Sequence, residues 1–107
     1  MCAYHTWFYS DKVGYVIECL DNNIQLGFGT VMVTFEMADF DMFVQYIRNK
    51  TEERMPLSDR HVKSIMLKTT CKGISLLLTE VELYNRNEMI DYVDTEMKST
   101  AIMKLFN

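Results

Sequence analysis

The feature that most constrains this chain is a switch in apolar spacing that happens twice. Tyr15, Ile17 and Cys19, then Ile24, Leu26 and Phe28, then Val31, Val33 and Phe35 alternate with other residues. That period of two lines one face of a strand. At Met37 the spacing changes: Phe40, Phe43, Val44 and Ile47 recur at i, i+3, i+4 and i+7, with Asp39, Asp41, Gln45 and Arg48 between them. This pattern predicts an amphipathic helix over roughly residues 37–50. The same switch follows later, where strand-like spacing over residues 61–70 and at Ile74, Leu76 and Leu78 gives way at Thr79. Thr79-Glu80-Val81-Glu82 has the form of a capping box, so a second helix should run from about Glu80 past Met97, with Leu83, Ile90, Val93 and Met97 inward.

Between these elements the chain carries turn chemistry. Ser10-Asp11-Lys12, Asp21-Asn22-Asn23 and Gly29-Thr30 separate the early strands, and Cys71-Lys72-Gly73 separates the later pair. The polar stretch 49–60 holds Pro56, the one proline, and reads as the loop joining halves 1–50 and 61–107. At 107 residues the whole is expected to form a single domain. Each helix has one apolar stripe, which predicts an α+β fold with both helices on one face of a continuous antiparallel sheet. The two hairpin-helix units also align with one another, as an internal duplication would.

On this reading the other sheet face bears Val16, Met32, Met66 and Leu77 beside Glu18, Thr34, Gln25 and Lys68. So much apolar area points to a contact surface, and the expected function is a non-catalytic interaction or scaffold domain, homodimeric through that face. The competing expectation is that loops or residues 100–107 fold over it. An alternative function is a small-molecule-binding or enzymatic domain with a pocket between sheet and helices, lined by Tyr15, Cys19, Tyr46 and Tyr92.

Composition narrows the partners. With 15 acidic and 11 basic residues the formal charge is −4, which gives no pull toward phosphate backbones, so neither nucleic acid nor membrane is an expected partner. Residues 80–96 hold six acids against Arg86 alone and read as a solvated helix face. Trp7, Phe8 and Tyr9 read as an edge strand packing on the core. The longest apolar run is far short of the roughly 20 residues a membrane helix needs, and the first residues lack the pattern of a signal peptide, which leads to a cytoplasmic expectation.

Three cysteines, Cys2, Cys19 and Cys71, are an odd number without disulfide-like spacing and fit reduced thiols. With His5 they could form a Cys3His set, but without paired spacing no metal is expected. A Cys71–His61 nucleophile pair fails on distance, since ten residues of strand span roughly 30 Å. Gly27-Phe28-Gly29 lacks the third glycine of a dinucleotide loop and leads into a strand, so no cofactor is expected.

The run Glu18-Cys19 through Ile24-Gln25-Leu26-Gly27-Phe28-Gly29, followed by Asp39-Phe40, resembles small uncharacterised proteins of Bacteroidetes bacteria in which a hairpin precedes an Asp-Phe helix. The resemblance covers the first half and implies a bacterial domain of unassigned function.

Overall fold

A computed structural model describes residues 4–19, 23–53, 61–63, 65–69 and 72–106. Strands β1 (Tyr4–Ser10), β2 (Gly14–Cys19), β3 (Asn23–Phe28) and β4 (Val31–Glu36) form an antiparallel sheet in which each strand pairs with its neighbour in sequence. Helix α1 (Met37–Glu53) follows without a break. Then come β5 (Ile65–Lys68) and β6 (Ser75–Leu78), a separate two-stranded sheet, and helix α2 (Glu80–Lys104). The class is α+β, as the apolar spacing predicts, but the sheet is not continuous.

Register places the core. Val16 pairs with Leu26 and Leu26 with Val33, while Ile24 pairs with Phe35, so these side chains share the face turned to the helices. From α1, Phe40, Phe43, Val44 and Ile47 enter the same core, as expected from their spacing. Phe35 and Phe43 lie 4.9 Å apart between ring centroids. Leu83, Ile90 and Val93 of α2 are buried with them, and Met97 packs at the edge. A bulge in β1 at Trp7 lets Trp7 and Phe8 both lean on the core, and the Trp7 indole N–H donates to Glu18 at 2.9 Å. Tyr9, expected to pack with them, is instead exposed.

The phase expected for β2 is corrected by this register. Val16, read as an outward contact residue, is fully buried, whereas Tyr15 and Ile17, read as inward, point to the second sheet face. Gly27 explains the inversion. It pairs with Tyr15, whose ring lies where a Gly27 Cβ would be, 2.2 Å from the nearest ring atom. The aromatic ring thus covers a glycine on the second face, and the smaller Val16 fills the core.

The capping box forms as expected: Thr79 Oγ1 accepts from Glu82 N at 3.0 Å, and Glu82 Oε1 accepts from Thr79 N at 2.9 Å. The two helices are tied by Arg48, which donates to Asp91 at 2.6 Å and lies 3.7 Å from Asp94. Asp94, expected on the solvated face, is buried there and accepts from Lys98 at 2.9 Å. Residues 100–104 continue α2 rather than fold back over a sheet face. Among the described residues no helix is long and apolar enough to cross a membrane.

Candidate functional site

At one end of the larger sheet two turns meet the first turns of α2. The β1–β2 turn is held by Ser10, whose Oγ accepts from Lys12 N and Val13 N at 3.3 Å each. It closes on Gly14 at φ +142°, a conformation that L side chains rarely adopt. A Cβ there would stand 2.1 Å from the carbonyl oxygen of Gly27, so the turn can approach β3 only through a glycine. The β3–β4 turn is the pair Gly29-Thr30, with Gly29 left-handed at φ +57°.

These turns and α2 enclose an open cleft of about 690 Å³. Tyr9, Tyr15 and Met32 line one side, and Glu82 and Arg86 reach it from the helix. Arg86 is the unusual group. Only 6% of it is exposed, and its Nε is buried without a hydrogen-bond partner. Its guanidinium lies 4.7 Å from the centroid of the Phe28 ring. Burial pushes the guanidinium below its ordinary pKa, while Glu82 one turn earlier acts in the opposite sense. Burying an ion costs several kcal/mol, and the Phe28 cation–π contact, about 2 kcal/mol, offsets part of it. The acid that stabilises its charge, Glu82, is shared with Lys63 and with the cap of α2.

Both acids lining the cleft also accept hydrogen bonds from other groups. Asp11 accepts from the Tyr9 hydroxyl at 2.6 Å, and that hydrogen bond, together with the Asp11 charge, raises the Tyr9 pKa. Glu82 accepts from Lys63 at 2.5 Å as well as from Thr79 N. Burial pushes the Glu82 carboxyl up, but the Lys63 and Thr79 interactions outweigh it and hold the group below its ordinary range. Lys12, on the exposed turn, also lines the cleft.

The signal that places Arg86 inward is its spacing, since Leu83, Arg86, Ile90 and Val93 fall at i, i+3, i+7 and i+10. Read by charge alone it belonged to the solvated face. That expectation is overturned by its burial.

The other expected site residues are dispersed. Tyr15 lines the cleft, whereas Cys19 is buried at the far end of β2, opposite Tyr4. Tyr46 of α1 accepts a hydrogen bond from Lys68 N at 3.0 Å and borders a hollow of about 310 Å³ between β4, α1 and β5. Tyr92 is half exposed on α2, with its ring edge-on to Phe8. The four do not form one pocket. Of the expected contact surface, Met32 is exposed on β4, while Met66 and Leu77 form an exposed cross-strand pair on the other sheet. Cys2 and Cys71 lie outside the described residues. His5 packs edge-on against Trp7, its centroid 4.5 Å away, and pairs with Glu18, so it projects to the sheet face opposite Cys19. Among the described residues no three His, Cys, Asp or Glu side chains gather as metal ligands.

Comparison with family models, curated proteins and solved structures found no match.

Proposed function

We propose that this chain is a non-catalytic binding domain whose ligand sits in the cleft at the turn end of β1–β4. The observation that carries this reading is convergence. Residues 9–15, 27–32 and 82–86 come from three separate segments and meet around one hollow of about 690 Å³, a size typical of small-molecule sites. Neither His5 nor His61 lines it, and its two carboxylates already accept hydrogen bonds from Tyr9 and Lys63. Binding, rather than turnover, is what such a lining supports. Nuclear magnetic resonance of the labelled protein with a set of small soluble fragments tests it. Shifts should cluster at the amides of Gly14, Gly29, Thr30 and Arg86, and shifts scattered over the surface or absent for every fragment would sink the reading.

A second reading, self-association with a second copy of the chain, is favoured by exposed Tyr4, Tyr9 and Met32 on the second face of the larger sheet and by the Met66–Leu77 pair on the smaller one. A twofold dimer would cover the same patches on both copies. Sedimentation at micromolar concentration should show a dimer that Met32→Lys combined with Met66→Lys converts to monomer. A parent that sediments as a monomer removes this reading and leaves the cleft untouched.

A further inference from the structure

We propose that the cleft selects a small organic oxyanion, a carboxylate or phosphate monoester, whose head group is bound by the Arg86 guanidinium. The inference rests on the cleft reading above and adds the chemistry of the ligand to it. Three observations converge. The first is that Arg86 is more than nine-tenths buried and lines the cleft, yet its Nε has no hydrogen-bond partner. A guanidinium prefers a planar, two-pronged acceptor, which is what an oxyanion presents. Next, the acids lining the cleft already accept hydrogen bonds. Asp11 holds the Tyr9 hydroxyl, and Glu82 holds both Lys63 and the cap of α2. A second cation, Lys12, faces the same hollow. Finally, the rest of the lining is mixed: Val13, Val31 and Met32 offer apolar wall beside the turn backbones. A bare inorganic ion would leave that wall bare, whereas an oxyanion with a small apolar body would use both parts.

Phe28 contacts the same guanidinium, with its ring centroid 4.7 Å away.

Titration of the full chain at constant ionic strength with benzoate, phenyl phosphate and benzyl alcohol tests the proposal. The two anions separate a carboxylate preference from a phosphate one, and the alcohol is the neutral control of nearly the same shape. Saturable shifts should appear at Gly14, Gly29, Thr30 and Arg86 with at least one anion, about tenfold or more tighter than with the alcohol. Arg86→Gln should weaken the anion about tenfold or more while leaving the alcohol unchanged. If that variant does not fold, Lys12→Gln on the exposed turn serves instead, with an expected loss of about two- to fivefold for the anion alone. Equal binding of benzoate, phenyl phosphate and benzyl alcohol, or indifference of the anion to the variant used, overturns the oxyanion inference and leaves the cleft standing. No cleft shift with any of the three overturns both.

Discussion

The two hairpin-helix units follow one plan and are supported in different ways. In the first, β3 and β4 pair over six positions across a two-residue turn, and β1 and β2 widen the sheet. In the second, β5 and β6 pair over four positions and stand as an isolated ribbon. A two-stranded ribbon is marginal by itself. This one is held because Ile65, Leu67 and Leu78 enter the common core and because the Tyr46 hydroxyl satisfies the Lys68 amide. The first unit owes its order to strand pairing, and the second to what it docks against.

The most disruptive way to break this contrast is through the shared core. Phe43→Asp places a carboxylate against Phe35 in the first unit and should remove several kcal/mol, a large share of a small domain's stability. Thermal unfolding followed by circular dichroism should lose its cooperative transition, and normal melting near the parent temperature would refute the packing described for α1. Leu67→Ala, in the second unit, should cost about 2–5 kcal/mol. Here hydrogen exchange is the informative measurement: protection should fall in β5, β6 and the first turns of α2 while β2 and β3 stay protected. Uniform loss across both sheets would mean the units do not differ in support.

A smaller effect is expected at the turn that fixes β1–β2 against β3. Gly14→Ala combines positive φ with a backbone clash at 2.1 Å and should cost about 1–3 kcal/mol. Gly27→Ala should cost less, because the obstacle is the Tyr15 ring, which can swing away. Denaturant midpoints for the two variants give the order directly.

The smallest effect sharpens the contrast at the cap of α2. The folded Glu82 carboxyl titrates below its ordinary value, so its contribution to stability is present above about pH 4.3 and lost as pH falls through the lower folded value. Parent melting temperatures should decline more steeply on acidification than those of Glu82→Gln, and parallel curves would show that the Lys63 and Thr79 contacts do not hold the charged form.

Some of this was legible in the residues and some was not, for physical reasons. The helix at Phe40–Ile47 and the cap at Thr79–Glu82 are local patterns, and local spacing decides them. The phase of β2 was not decided that way, because Tyr15, Val16 and Ile17 are all apolar and alternation alone favours the longer series. Its resolution lies in Gly27 on the neighbouring strand, a glycine that invites an aromatic ring to lie over it. Spacing also reports which face a residue occupies but not which strand lies alongside, so the separation of β5–β6 from the larger sheet left no mark in either segment. Arg86 was obscured because its charge drew it to the acidic surface while its position placed it among Leu83, Ile90 and Val93.

The nearest-neighbour order of β1–β4 bears on how the molecule is assembled. Each pairing closes a short stretch of chain, the kind of local contact associated with rapid folding. The Arg48–Asp91 tie, by contrast, joins positions 43 residues apart. As a chain emerges from the ribosome, the meander and α1 can form while α2 is still being made, leaving the part of the apolar face that α2 covers open in the nascent protein. Arg86 reaches Phe28 only when α2 docks, so the cleft is completed only once residues 82–86 meet the sheet.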